Sequence, residues 1–235
     1  HIMNEELHGN ILCEGAQGFW LDIDFGNYPY VTSSITLPYS ACSLGFPPQK
    51  IRNIYGASKI YDTRVGIDTD FPEELDEDPE LVEIGKVGNE YGVTTGRKRR
   101  VNWLNMDKLI KAINASGTTH VIISKVDIFE KIGKFRYLQG NKLVSFLSLE
   151  DMTTEIYNEI KRECPLVREV KFSNNRETIL AAKSLKIDAT FVNEQEVKNK
   201  LLLLDSKKKD DILYKGTVRS GDRISSNGNL CIIGD

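Results

Sequence analysis

"THVIISKVDIF", residues 119–129, decides the fold. Its first six residues, Thr119 to Ser124, form a short apolar run behind Gly117 and read as a buried strand. Upstream, Leu104 to Ser116 has helical spacing. Asn105 is placed to cap it, Leu109, Ile110 and Ile113 share one face, and Gly117 supplies the stop. Downstream, Leu149 to Cys164 reads as a helix stopped by Pro165, Val167 to Phe172 as a strand, and Arg176 to Ser184 as a further helix. Strands alternating with helices predict an α/β fold: a largely parallel sheet with flanking helices and long functional loops. Lys125 and Asp127 then emerge at the carboxyl end of a strand, where open α/β sheets bind ligands. A carboxylate there can accept both N–H donors on the Watson–Crick edge of guanine, while the lysine stem covers the base face. A surface Lys/Asp pair is the competing reading of the same residues.

Charge points to a second place. The 31 Lys and Arg nearly cancel 34 Asp and Glu, leaving a net charge of -3, so any basic cluster is a local device. "NEYGVTTGRKRRVNWL", residues 89–104, holds such a cluster: Arg97, Lys98, Arg99 and Arg100 follow Thr94, Thr95 and Gly96. Guanidinium forks match phosphate or carboxylate oxygens two at a time, and the threonines and glycine add hydroxyl and backbone donors. The stretch reads as an anion clamp. From charge alone, a solvated basic loop or a nucleic-acid patch remains open.

The rest of the chain bounds the answer. Its 235 residues, 40% of them hydrophobic, suffice for one or two globular domains. No apolar run approaches the roughly 20 residues that span a bilayer, so no membrane partner is expected. Cys13, Cys42, Cys164 and Cys231 are widely spaced and lack a Cys-x-x-Cys pattern, which predicts reduced thiols and a cytoplasmic protein. Residues 1–3 read as a cloning remnant. Asn10 to Cys13 reads as a short strand running into Glu14-Gly15-Ala16-Gln17-Gly18, and Asp22 to Arg100 as a long irregular region. "DFPEELDEDPELVE", residues 70–83, reads as a solvated acidic loop because it lacks the alternation and turn glycine of a calcium site. His8 and His120 are isolated in the sequence, and there is no Gly-x-Ser-x-Gly elbow, Walker loop or dinucleotide fingerprint.

Four segments in order, "ILCEGAQGFWLDIDFGNYPYVTSS" (11–34), "YDTRVGIDTDFPEEL" (61–75), "GNEYGVTTGRKRRVNWL" (88–104) and "IISKVDIF" (122–129), closely resemble the carboxyl-terminal half of adenylosuccinate synthetase. The resemblance covers roughly residues 10 to 180. It implies a purine-nucleotide ligase that uses GTP and Mg2+ to phosphorylate the 6-oxygen of IMP, after which the amine of L-aspartate displaces phosphate. By that resemblance Gln17 contacts the purine near its reacting position, Thr32 the IMP phosphate and Val65 the ribose. Val93, Thr94, Thr95 and Arg97 grip the aspartate carboxylates, Arg99 reaches the GTP phosphates, and Lys125 and Asp127 recognise guanine. Ser173 stands where the family has a Gly-Pro segment touching guanine, and residues 33–51 replace a more glycine-rich stretch. That compactness is similar to short archaeal and phage forms, one branch of which acts on dGMP. The family's phosphate loop, catalytic aspartate and histidine have no counterpart in these residues, so no catalytic residue and few magnesium ligands are expected in this chain, which alone should not complete the reaction.

Residues 4–185 are expected to carry this resemblance, and residues 186–235 a small C-terminal α/β or β module. The latter comprises a strand-like Ile187–Val192, a helical stretch from Asn193, the charged linker "DSKKKDD" and a tail of short strands. "GTVRSGDRISSNGNLCIIGD" (216–235) is similar to the first turn of the β-helical domain of the septum-site inhibitor MinC. Small-molecule substrates are the expected partners, with no nucleic acid and with room for a homodimer; a non-catalytic assembly module is the alternative.

Overall fold

The apolar run becomes the middle strand of a parallel sheet. The computed structural model describes residues 9–92, 96–140, 142–175, 212–215 and 230–233. Strands are numbered along the chain, and β1 (Tyr55–Lys59), β4 (His120–Ser124) and β7 (Glu169–Phe172) pair in the order β1-β4-β7. Both pairings are parallel, with Lys59 opposite Ser124 and Ile123 opposite Phe172, so the carboxyl ends of all three strands share one edge. Crossovers supply the helices that parallel pairing requires. Helix α2 (Met106–Ser116) precedes β4, α3 (Val126–Ile132) follows it, and α4 (Leu149–Glu163) precedes β7.

Local chemistry sets these ends. The Asn105 side chain accepts from the Lys108 N–H at 3.1 Å to start α2, and Gly117 ends it in the left-handed region at φ +67°. Ser148 accepts from Asp151 N–H at 3.0 Å at the start of α4, and Lys161 and Arg162 lie in its last turn, where cations suit the helix dipole. The core between sheet and helices contains Tyr61, Ile84, Ile123, Phe129, Met152 and Ile156, all fully buried. Each such side chain contributes about 1.5–3 kcal/mol on leaving water.

Antiparallel pairs flank the parallel sheet. β2 (Tyr61–Arg64) pairs with β3 (Arg100–Trp103), and β5 (Arg136–Gln139) with β6 (Lys142–Ser145). The described residues fall into two units that divide between Arg52 and Asn53. The first unit includes the parallel pair β8 (Ile212–Lys215) and β9 (Leu230–Ile233). It is also organised by Asp22, whose carboxylate accepts N–H bonds from Asp24, Phe25 and Thr36 at 2.9, 3.1 and 2.6 Å.

Three expectations are corrected. Asn10 to Cys13 is not a strand: Ile11 and Leu12 are exposed, and among the described residues no strand pairs with them. Asp22 to Arg100 is not irregular throughout, since it holds β1, β2 and α1 (Pro79–Val87). The acidic run is largely solvent-exposed, as expected, but it is not a plain loop. Asp76 ends a short 3-10 turn, Glu73–Asp76, and takes Lys98 at 2.8 Å and Arg100 at 3.0 Å. Asp78 caps α1, and Glu80 binds Lys134 and Arg136. The expected helix at 176–184, the elements at 187–204 and the linker at 205–211 lie outside the described residues.

Candidate nucleotide site

The site builds from the carboxyl edge of the parallel sheet. After β4 the backbone turns at Lys125 through the left-handed region (φ +62°), costly for a side chain with Cβ, before α3 starts. Ser173, just past β7, holds that turn: its N–H donates to Ile123 O at 2.8 Å and its carbonyl accepts from Val126 N–H at 3.3 Å. Lys125 thus stands at the end of the central strand, as the sequence predicts, and Asp127 falls in the first turn of α3, a helix the sequence reading did not include.

Glu90, which the sequence did not single out, joins this edge to the basic stretch. It follows α1 and is 2% exposed. Its Oε1 accepts from the Tyr61 hydroxyl at 2.7 Å and from Lys125 Nζ at 3.0 Å; its Oε2 accepts from Lys59 Nζ at 2.7 Å and Arg99 Nη1 at 3.4 Å. Burial opposes the carboxylate charge, but hydrogen bonds from Lys59 and Tyr61 and the charge of Lys59 outweigh it and hold Glu90 below the usual range. Burial pulls Lys59 down despite the same bond, and burial followed by the Glu90 bond pushes the Tyr61 phenol up. One carboxylate facing three cations leaves a local positive excess, suited to an anion.

Described residues on either side of 93–95 pair with one another. Arg99 N–H donates to Glu90 O at 2.9 Å, Tyr91 and Lys98 form an antiparallel bridge, and Gly92 N–H donates to Arg97 O at 2.8 Å. Arg97 therefore lies beside Gly92 and Arg99 beside Glu90. Lys98 and Arg100 turn to Asp76, so half of the basic run is latched to the acidic run rather than presented as one cationic patch. Val93, Thr94 and Thr95 lie outside the described residues.

The other expected residues fall as follows. Asp127 pairs with Lys131, one helical turn on, at 2.8 Å. The Ser173 hydroxyl is buried and donates to Asn175 O at 2.6 Å. Val65 is exposed beyond β2, beside a cleft of about 370 Å³ lined by Arg64, Gly66, Asp68, Lys98 and Arg100. Gln17, at φ +67°, and Thr32, whose N–H donates to Leu21 O at 2.7 Å, belong to the first unit. The structure brings Arg99 and Lys125 together through Glu90, with Asp127 two residues on. Among the described residues no group of three His, Cys, Asp or Glu side chains is arranged to hold a metal ion. No described helix is long and apolar enough to cross a membrane.

A family model for adenylosuccinate synthetase matches residues 1–171. The adenylosuccinate synthetase of Thermodesulfovibrio yellowstonii is 40% identical over 214 residues, covering 87% of this chain and 49% of that protein. The Candida dubliniensis enzyme is 45% identical over 158 residues, 62% of this chain and 36% of that one. Among solved structures, fully ligated adenylosuccinate synthetase from Plasmodium falciparum superposes with a TM-score of 0.50 at 31% identity, covering 62% of this chain and 35% of that one. The chain thus spans about half or less of the length of these relatives.

Proposed function

We propose that this chain, which belongs to the adenylosuccinate synthetase family, supplies the guanine-nucleotide site and substrate contacts of a purine-nucleotide ligase joining L-aspartate to IMP at the expense of GTP. The observation that carries the reading is the Glu90 cluster. It draws the residue expected at the GTP phosphates, Arg99, and the residue expected at the guanine face, Lys125, to one edge of the parallel sheet.

Magnitudes favour the guanine role of Asp127. Its pair with Lys131 is a helix-surface ion pair worth about 0.3–0.5 kcal/mol. Two charged hydrogen bonds to a guanine edge contribute roughly 1.5–3 kcal/mol each, so the base displaces the lysine. Lys125, held at its ammonium, lays its stem where a base can stack. Ser173 frames the guanine edge by fixing the turn at Lys125 and Val126. Gln17 and Thr32 take the purine and phosphate of IMP, Val65 its ribose, and the loop through Val93, Thr94, Thr95 and Arg97 the aspartate carboxylates. Magnesium accompanies GTP on residues other than these.

Within this reading the chain corresponds to the carboxyl-terminal half of the family, residues 4–185 carry the ligase contacts, the tail of residues 186–235 is similar in sequence to the start of the MinC β-helix, and the protein is a cytoplasmic homodimer. Competition binding tests the nucleotide assignment. GTP should bind more tightly than ITP, which lacks the 2-amino donor, by about tenfold, and ATP should be weakest. Equal affinity for ATP and GTP would overturn it.

A further inference from the structure

We propose that Glu90 is the positioning residue of the guanine-nucleotide site: it pre-sets Lys125 over the base and Arg99 toward the phosphates. The inference rests on the functional reading above and adds a residue to it.

Three observations carry it. First, Glu90 is fixed by groups of the fold itself. Its N–H donates to Gly85 O at 2.9 Å, its carbonyl accepts from Arg99 N–H at 2.9 Å, and the Tyr61 hydroxyl holds Oε1 at 2.7 Å. Gly88 makes room for that hydroxyl, because a Cβ there would lie 2.4 Å from it.

Second, each carboxylate oxygen serves a different part of the nucleotide. Oε1 takes Lys125, and Oε2 takes Arg99 and Lys59. Lys125 side-chain relative exposure is 35% and that of Arg99 34%, so both reach solvent while tied at one end to a carboxylate exposed by 2%. Glu90 is too deep to meet a base or phosphate itself.

Third, the grip on Arg99 is partial. Glu90 engages Nη1 alone, and Arg99 Nε is buried with no hydrogen-bond partner among the described residues. A guanidinium held at one nitrogen is aimed while other donors remain for an oxyanion. Lysine side chains lose much rotamer entropy when immobilised, so a lysine ordered during folding binds a base at lower entropic cost.

A simple neutralising role makes a different forecast. If Glu90 only offsets Lys59, Lys125 and Arg99, Glu90→Gln raises the local positive charge, tightens inorganic tripolyphosphate and leaves guanosine unchanged. As a positioning residue, Glu90→Gln weakens guanosine about tenfold, equivalent to about 1.4 kcal/mol, and this loss disappears in a Lys125→Met background, where no ammonium remains to place. Binding to the full chain is read by ligand-observed NMR, with melting curves confirming folding. Tyr61→Phe removes only the hydroxyl that holds Oε1, and should give a smaller loss, about threefold, with the same dependence on Lys125. It serves as the test if Glu90→Gln does not fold.

Unchanged guanosine affinity in a folded variant, or equal loss with and without the Lys125 ammonium, overturns the inference while leaving the nucleotide site standing. Failure of the unsubstituted chain to bind guanosine or GTP overturns both.

Discussion

At the scale of residues, the cleft beside β2 contains a carboxylate with altered proton affinity. Asp62 faces a space of about 260 Å³ lined also by Asp70, Asn102, Asn105 and Lys108. Burial pushes its pKa up to about 6, although the Asn105 N–H, at 3.0 Å from Oδ2, and the charge of Lys108 work the other way. The folded state therefore holds this proton more tightly than the unfolded chain. Stability from this group is greatest at low pH and declines as pH rises from about 4 to about 6, by up to roughly 3 kcal/mol. Asp62→Asn keeps an acceptor for the Asn105 N–H without the buried charge. It should raise the melting temperature at pH 7.5 and flatten the slope between pH 4 and 6; a lower melting temperature at pH 7.5 would count against this account. Glu90 has the opposite sign. Its contribution is present above pH 4.5 and is lost as acid carries the solution below that value.

At the scale of elements, helix ends show how much of the fold is legible from local chemistry. Asn105, Gly117 and the alternation through residues 104–124 predict α2 and β4, and both appear within two residues of the expected bounds. Gly117→Ala places a Cβ at φ +67° with only an ordinary contact, 3.7 Å from Ile54, so its cost is conformational. It should destabilise by about 1–2 kcal/mol in thermal unfolding, and a cost near zero would show that the turn relaxes. β1 is illegible for a physical reason. Its residues, Tyr-Gly-Ala-Ser-Lys, include little of the branched bulk that marks strands, and only pairing with β4 settles them. The acidic run misleads for a related reason. Composition counts its charges but does not show that Lys98, Arg100, Lys134 and Arg136, distant in sequence, fold back to meet them.

At the scale of the molecule, the positions of the candidate site residues were partly legible. Lys125 and Asp127 could be placed because a strand end fixes where the following residues emerge, and Arg99 because a family motif runs through it. Glu90 could not, because a lone glutamate among glycine, asparagine and tyrosine carries no local pattern. Its role arises from three contacts that close only in the fold, to Lys59, Arg99 and Lys125. The same closure makes the central claim testable in one experiment: a calorimetric titration of the full chain with GTP and with ATP, in the presence of magnesium, IMP and L-aspartate, beside Asp127→Ala. A guanine site at the carboxyl edge of the sheet predicts that GTP outbinds ATP and that the substitution weakens GTP by about tenfold to hundredfold while leaving ATP unchanged. GTP affinity that survives Asp127→Ala, or that never exceeds ATP affinity, would contradict it.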